Sequence, residues 1–289
     1  MSTTFAQRVK DFKPGTTLFL TFLIGLWSMP TVGLLITAFR SKDAAAESGW
    51  WEAIFNPFGQ DWSTAAFETV LTRDDMFGSF INTLVVTVPA TVLPILIAAH
   101  AAYAFTFLQF KGRNVLFVSI VALMVVPLQT SLVPVVRGLR AINDLTGIKL
   151  IGTFPGAWLM HASFALPLAI YILRNYMMTL PSALIEAARV DGATYYQIFW
   201  RLVMPMSVPA LASFAIFQFL WVWNDYLIAF IFVDSKPVMT YRLLRLLGQY
   251  GDGWQNVAAG SFIALIVPIL LFFSMQRFFV RGLTAGSVK

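Results

Sequence analysis

The side chains that most enzymes use for catalysis are scarce in this sequence. The chain has no cysteine and only two histidines, His100 and His161, and neither stands in the HExxH arrangement of zinc proteases. No Gly-Lys dipeptide occurs, which excludes a Walker A phosphate loop, and no G-x-S-x-G nucleophile elbow is present. We therefore expect this chain to hold no catalytic residue, no metal and no cofactor.

A group of polar and aromatic residues near position 220 suits the recognition of a sugar. Gln218, Asn224 and Asp225 carry hydrogen-bonding groups within an otherwise apolar stretch, and Trp221 lies among them. Aromatic rings pack against the C–H faces of sugars, while amides and carboxylates bond their hydroxyls. We predict that these four residues line a translocation pathway. The alternative is that Asp225 only bonds a neighbouring helix.

The composition predicts that these residues belong to a membrane protein. The 289 residues are 58% hydrophobic and 12% charged, which argues against a disordered chain, a nucleic-acid-binding domain and an ordinary soluble enzyme. A helix needs about 20 apolar residues to cross a hydrocarbon core, and the apolar runs do not alternate as barrel strands would. We predict an all-α integral membrane protein with a single transmembrane domain over 1–289 and six spans: 16–39, 79–108, 115–136, 152–173, 207–232 and 257–279.

Charged residues near the ends of the spans indicate the orientation. Lys111 and Arg113 follow the second span, and Arg277 and Arg281 lie at the end of the sixth. Short basic segments of this kind usually stay in the cytoplasm. The long segment 40–78 carries seven acids and three bases, which suits an exterior loop. We therefore predict that both termini are cytoplasmic.

The segment 176–206, between the fourth and fifth spans, predicts two short helices. Pro181 suits the first turn of a helix over 182–190, and Gly192 can take the left-handed conformation that ends it. Thr194-x-x-Gln197 has the spacing of a capping box, which starts a second helix that we expect Pro205 to close. The loop is therefore predicted to be a compact helix–turn–helix.

The first of these helices has a face of small side chains. Ala183, Ala187 and Val190 recur at i, i+4 and i+7, so they share one side of the helix. A helix lying passively on the membrane surface is the alternative. That alternative explains an apolar stripe, but it does not explain a tight turn between helices whose leading face is alanine.

This loop resembles the EAA loop of the membrane subunits of ABC importers. Glu186, Ala187 and Ala188 are followed by Gly192, and the segment ends in Leu-x-Met-Pro at Pro205, where the family has Ile-x-Leu-Pro. The resemblance covers nearly the whole chain and is closest to the smaller permease subunit of maltose-type importers. Shorter matches that support it lie at 82–83, 102–105, 223–226 and 279–289.

The resemblance implies a type I importer permease, a non-catalytic multi-pass subunit of a bacterial or archaeal cytoplasmic membrane. Its partners would be a larger permease subunit, two ATPase subunits that bind ATP and magnesium, an extracytoplasmic sugar-binding protein or lipoprotein, and membrane lipid, but no nucleic acid. In this family the loop helix docks into a cleft on an ATPase subunit. The implied ATPase-coupling residues are Glu186, Ala187, Ala188, Arg189, Asp191, Gly192 and Pro205.

The resemblance also implies roles for two other segments and a class of substrate. A loop before the last span would contact the external binding protein, and the tail would reach the ATPase pair. The segments 48–51 and 217–225 look like those of subunits that carry α-glucosides such as maltose or trehalose. The residues implied are Gly248, Gly251, Asp252 and Gly253 in the loop, and Gly286 and Ser287 in the tail.

A secondary transporter of a polar solute, driven by an ion gradient, is the alternative function. Asp225 and a histidine would then serve as its relay. Such transporters usually contain internal repeats and several intramembrane charges. This sequence shows one clear intramembrane acid and no visible repeat, so the importer subunit is favoured.

Overall fold

A computed structural model describes residues 14–72, 74–233, 235–246 and 253–284, with the side chains of 277–284 left out. Within these ranges the regular elements are helical, and an isolated antiparallel bridge joins Arg40 to Trp62. The helices are α1 (Pro14–Ala38), α2 (Lys42–Glu47), α3 (Glu52–Phe55), α4 (Ala65–Thr72), α5 (Met76–Phe107), α6 (Arg113–Ala122), α7 (Leu128–Thr146), α8 (Phe154–Met177), α9 (Ser182–Val190), α10 (Tyr195–Ile198), α11 (Met204–Trp223), α12 (Leu227–Phe232), α13 (Met239–Leu246) and α14 (Trp254–Thr284).

Five continuous helices in the described part are long and apolar enough to cross a membrane. They include α1, α5 and α8, the run Tyr195–Trp223 and the first 23 residues of α14. A bent pair, α6 with its 3-10 extension and α7, supplies a sixth candidate. The all-helical prediction is therefore confirmed, and the helix bounds overlap the predicted spans.

The third predicted span, 115–136, is not one straight helix. The two parts of the bent pair meet at 107°, with the break at Val126 and Pro127. A residue before proline is pushed out of the helical region, and Val126 has the extended ψ of 115° that this predicts. Beyond the break α7 is amphipathic, with Leu139 buried and Arg140 exposed. The bend was not predicted because the apolar run 115–136 is long enough for a single spanning helix.

The chain divides into two compact units. One contains residues up to Asp75 together with Leu243–Ile263, and the other contains Met76–Arg242 and residues from Ala264 onward. In the first unit, α1 exposes most of its side chains, and the Trp50 indole lies against Gly33, where an added Cβ would come within 2.7 Å of it. The single domain over 1–289 stays a prediction.

The second unit is built around the pair α5 and α8, with α11 packed against both. Small residues line the contact, since Ala98, Ala102, Ala165 and Ala169 are all buried in one cluster. Small side chains let two helix backbones approach closely, which is the usual basis of helix packing in membranes. A second cluster, around Ile228, lies against the segment that follows α12.

At three prolines within the spans, a side chain from another helix supplies the hydrogen bond that the proline cannot donate. Proline has no backbone N–H, so the carbonyl four residues before it loses its helical donor. In each case the indole or amide N–H of a distant residue donates to that carbonyl, as expected where no water is available. For Pro89, Trp158 donates to the Val85 carbonyl at 2.8 Å. For Pro94, Gln218 donates to the Ala90 carbonyl at 3.2 Å, and for Pro268, Trp223 donates to the Ala264 carbonyl at 3.0 Å.

Replacing Trp158 with phenylalanine tests this compensation. The Val85 carbonyl would lose its donor, so we expect a loss of about 1–3 kcal/mol in the free energy of unfolding. In a Pro89→Ala background, residue 89 regains an N–H that can bond Val85, and the same change should cost less. Unfolding of the four purified variants in detergent measures the difference. An equal cost in both backgrounds would show that the indole N–H does not replace the missing donor.

Candidate functional site

The helix α9 is anchored by one face and presents the opposite face to solvent. Ile185 is buried in the same cluster as Met177 and Ile198. Ala183 and Ala187 lie two residues before and after Ile185, which places them on the far side of the helix, and both are exposed. The predicted face of small residues therefore exists and is uncovered in this chain.

The turn after α9 has the geometry of a Schellman motif. Gly192 has a φ of +78°, and its N–H donates to the Arg189 carbonyl at 3.0 Å. The Ala193 N–H donates to the Ala188 carbonyl at 2.9 Å. This pair of bonds is the motif's signature, and glycine takes the left-handed position at little cost. The predicted helix end at Gly192 is thus confirmed.

The second helix of the loop begins as predicted but does not end as predicted. Thr194 and Gln197 form the reciprocal bonds of a capping box at the start of α10. The prediction that Pro205 closes this helix is wrong, because a π-helical turn at Phe199–Val203 leads directly into α11. Pro205 lies in the first turn of α11, where a missing N–H is tolerated. The loop is therefore continuous with a spanning helix.

Two long-range hydrogen bonds attach this loop to the end of α5. Arg189 Nη2 donates to the Phe107 carbonyl at 3.0 Å, and the Tyr103 hydroxyl donates to the Tyr195 carbonyl at 3.2 Å. A cation is favoured at a helix C-terminus, where the last carbonyls lack helical partners. From the sequence, only a role in partner contact can be predicted for Arg189, because its spacing does not show which helix end the side chain reaches.

The other charged residues of the loop point outward. Glu186 and Asp191 are exposed, and neither side chain makes a hydrogen bond within the described ranges. A concavity of about 440 Å³ lies between α9 and α10, with Asp191, Gln197 and Arg201 in its wall. The loop thus offers an exposed face of small residues beside a recess lined in part by polar side chains.

The predicted pathway residues fall into two environments. Gln218 is 3% exposed and is engaged with Ala90, as described above. Trp221 is 48% exposed and lines a cavity of about 690 Å³ at the bend between α6 and α7, whose other walls are mainly apolar. Asn224 is exposed, and its amide donates to the Leu220 carbonyl at 2.7 Å. The pathway role of these residues stays a prediction.

Asp225 lies in a break of the fifth predicted span, 207–232, between α11 and α12. Its carboxylate lies one residue before the N-cap Tyr226 and accepts the Ala229 N–H in the first turn of α12 at 3.0 Å, while its backbone carbonyl accepts the Thr240 hydroxyl at 2.7 Å. His161 Nε2 is 3.7 Å from Asp225 Oδ2, which is too long for a hydrogen bond. These contacts favour the structural alternative for Asp225.

Substitutions of Asp225 distinguish a structural role, in which its side chain accepts hydrogen bonds from α12, from a role in proton transfer. Asparagine is as good a helix cap as aspartate, so we expect Asp225→Asn to retain solute uptake and thermal stability. Asp225→Ala removes the acceptor and should cost about 1 kcal/mol in the free energy of unfolding. Uptake into vesicles and thermal unfolding of both variants provide the measurements. Loss of uptake in Asp225→Asn with unchanged stability would indicate that the carboxylate itself is required.

Asn82 and Thr83 hold the segment that follows α12. The Asn82 amide donates to the Pro237 carbonyl at 3.1 Å, and the Met239 N–H donates to the Thr83 hydroxyl oxygen at 2.9 Å. The sequence marked these two residues only as part of a resemblance. Because Thr83 and Met239 are 156 positions apart, no pattern of neighbouring residues could predict this contact.

Two predicted sites lie mainly outside the described residues. Of the loop residues, Gly248, Gly251 and Asp252 lie outside them, as do Gly286 and Ser287 of the tail. Gly253 is described and is buried, and its carbonyl accepts the Val257 N–H at 3.0 Å. Both proposed contacts, with a binding protein and with an ATPase, stay predictions.

Comparison with known proteins shows the family. Residues 75–285 match the family described as "Binding-protein-dependent transport system inner membrane component". The osmoprotective compounds uptake permease protein GgtD of Synechocystis sp. is 47% identical over 91% of this chain and 88% of its own length. The alpha-glucoside transport system permease protein AglG of Rhizobium meliloti is 38% identical over 92% and 94%, respectively.

The fold agrees with this relationship. A crystal structure of a bacterial ABC transporter that imports the acidic polysaccharide alginate contains a chain with a TM-score of 0.72, at 19% identity, covering 96% of this chain and 98% of that one. The predicted importer-permease fold is confirmed, and a secondary transporter driven by an ion gradient does not agree with the family. The loop 176–206, the packed spanning helices and the matching relatives lead to one conclusion: this chain belongs to the permease subunits of binding-protein-dependent ABC transporters, which are inner-membrane components rather than the ATP-hydrolysing enzymes.

Proposed function

We propose that this chain is the smaller of two permease subunits that together import an α-glucoside, with energy from ATP hydrolysis in two associated ATPase subunits. An extracytoplasmic binding protein delivers the sugar, and both termini lie in the cytoplasm. ATP and magnesium are bound by the ATPase subunits, consistent with the lack of a Walker A loop here.

The uncovered face of α9 is the observation that carries the coupling role. Ala183 and Ala187 are exposed there, on the side of α9 opposite the buried Ile185, so this side of the helix is open to another chain. Small side chains allow another backbone to approach closely, and Glu186 and Asp191 can bond at the rim of such a contact. An ATPase subunit is the partner that this face would receive.

The attachments of α9 explain how movement of the ATPase subunits would reach the membrane. Arg189 and Tyr195 are bonded to the end of α5, and the loop runs without a break into α11. Gly192 fixes the angle between the two loop helices. A shift of α9 would therefore be transmitted to α5 and α11 together, as packed helices move as bodies.

Trp221 would supply the sugar-facing surface in this subunit. Its ring is half exposed at the cavity of about 690 Å³, where Ser131 and Ser163 present hydroxyl oxygens as acceptors among apolar walls, their O–H groups being donated to the Pro127 and Leu159 carbonyls. An aromatic face with a few hydroxyls can accompany a sugar without holding it tightly. Asn224 adds an exposed amide nearby, whereas Gln218 and Asp225 would act mainly by fixing the helices that shape the route.

The names of the relatives support a neutral polyhydroxylated solute. They include permeases for osmoprotective compounds, for alpha-glucosides and, in Mycobacterium tuberculosis, for trehalose, the last at 34% identity over 78% of this chain. Maltose and trehalose satisfy the α-glucoside description. We therefore infer an α-linked glucoside as substrate.

The sugar-dependent ATPase activity of the reconstituted complex tests this function. The complex would contain this chain, the larger permease subunit, the ATPase subunits and the cognate binding protein, with maltose, trehalose, sucrose and glycine betaine offered separately. We expect stimulation by an α-glucoside only when the binding protein is present. Stimulation by glycine betaine alone would contradict the substrate, and hydrolysis that ignores every solute and the binding protein would contradict the proposed importer.

A further inference from the structure

Arg40 carries a buried positive charge that no acidic side chain neutralises within the described ranges. It lies two residues after the end of α1 and is 2% exposed. Its Nη1 and Nη2 atoms donate to the carbonyl (2.8 Å) and the hydroxyl (2.5 Å) of Ser48. Within the described part of the chain Arg40 has no ion-pair partner, and its Nε–H has no hydrogen-bond acceptor.

A pocket of about 310 Å³ opens beside this guanidinium, within the same compact unit. Arg40 contributes to its wall, together with Thr37, Ala45 and the indole rings of Trp50 and Trp254. The side chain of Thr37 is engaged with the Gly33 carbonyl, so it shapes the pocket without using its donor there. The pocket thus joins one buried cation to two aromatic walls.

The position of the pocket is close to a membrane boundary. With 25 residues and a rise of about 1.5 Å per residue, α1 is longer than a hydrocarbon core of about 30 Å. Its C-terminal end, where Arg40 lies, therefore reaches the region of the lipid head groups. Tryptophan is enriched at this depth, and both indole rings of the pocket meet that expectation.

The unpaired charge of Arg40 determines which class of ligand the pocket can bind. A buried guanidinium without a counter-charge is costly, and the partial negative charge at the end of α1 offsets only part of that cost. A neutral sugar would leave the charge unpaired, whereas the oxygens of a phosphate match an arginine in both charge and geometry. We propose that this pocket binds a phosphate group, either on a phospholipid head group or as free inorganic phosphate, independently of the transported sugar.

A pair of neighbouring alanines provides matched variants. Ala45 lines the pocket, whereas Ala46 is exposed on the same short helix, α2, and does not line it. Ala45→Phe should fill the pocket and leave the bonds between Arg40 and Ser48 in place. Ala46→Phe adds the same bulk outside it. Arg40→Gln removes the charge but also disturbs the Ser48 contacts, so the alanine pair carries the test.

Native mass spectrometry of the purified complex measures the retained phospholipid directly. If a lipid occupies the site, the wild type and Ala46→Phe should each retain one more phosphatidylglycerol per copy of this chain than Ala45→Phe or Arg40→Gln. In a second arm, inorganic phosphate is added to the delipidated complex and the melting temperature is measured. If phosphate raises the melting temperature of the wild type and of Ala46→Phe but not of Ala45→Phe, free phosphate is the ligand.

The proposal is overturned if neither the retained lipid nor the phosphate-dependent melting temperature differs between Ala45→Phe and Ala46→Phe. It is also overturned if both alanine variants lose the ligand equally, because that result would report damage to α2 rather than a filled pocket. Sugar uptake need not change in any of these variants, so the outcome is separate from that of the proposed function.

Discussion

Replacing Gly192 with proline is expected to abolish sugar uptake while the protein still inserts into the membrane. Gly192 has a φ of +78°, and the proline ring holds φ near −65°, so the turn between α9 and α10 cannot form as it does now. The N–H that bonds the Arg189 carbonyl would also be lost. Apart from residue 192 and its chain neighbours, no atom of the described residues lies within 4 Å of an added Cβ, so the effect comes from the backbone and not from a collision.

Asparagine at the same position is the control. It tolerates the left-handed region better than other non-glycine residues, so Gly192→Asn should keep most of the uptake. ATP hydrolysis and sugar uptake would be measured on the same proteoliposomes, and uptake per ATP consumed should fall at least tenfold in Gly192→Pro. Uptake at the wild-type level in Gly192→Pro would refute the role of this turn in coupling.

Placing a tryptophan at Ala187 is the second change with a large expected effect. Ala187 is exposed in the isolated chain, so the stability of the subunit should change by no more than about 0.5 kcal/mol. In the complex the indole would hold the two backbones apart. We expect the ATPase subunit to bind about thirtyfold more weakly, a loss of about 2 kcal/mol, which is typical for a central interface residue.

Ala141→Trp is the matched control, because Ala141 is also an exposed helical alanine but lies on α7. Co-purification of the tagged ATPase subunit with each variant, and its concentration dependence, would measure the affinity. The two tryptophan variants should differ strongly. If both bind the ATPase subunit like the wild type, the face of α9 is not the docking surface.

The local chemistry of the loop could be predicted from the sequence because it depends on neighbouring residues. Pro181, Gly192 and the pair Thr194 and Gln197 act within one or two turns of helix, and the observed helix start, Schellman turn and capping box follow from them. The spans were predictable for a similar reason, since length and apolar composition are enough to identify a helix that can cross a membrane.

Long-range contacts could not be predicted in the same way. The three prolines revealed which carbonyls would lack a donor, but nothing nearby indicated that Trp158, Gln218 and Trp223 would replace it. The bond from Arg189 to Phe107 likewise joins positions 82 apart. These contacts depend on tertiary packing, which a single sequence does not specify residue by residue.

Breaks within apolar runs were the other source of error. The bend at Pro127 and the interruption at Asp225 both lie within runs that are apolar enough overall to be predicted as single spans. The π-helical turn before Pro205 had the opposite effect, because it joined two helices that the proline was expected to separate. In each case the local backbone conformation and its hydrogen bonds, and not the apolar pattern, set the boundary.

Cross-linking from the face of α9 tests the coupling claim most directly. The chain has no cysteine, so Ala187→Cys introduces a unique thiol to which a photoreactive maleimide can be attached. In the assembled complex, irradiation should join position 187 to the ATPase subunit, whereas the same reagent at Ala141→Cys should not. Cross-links from position 187 only to lipid or to other parts of this chain would contradict docking of the ATPase subunit on α9.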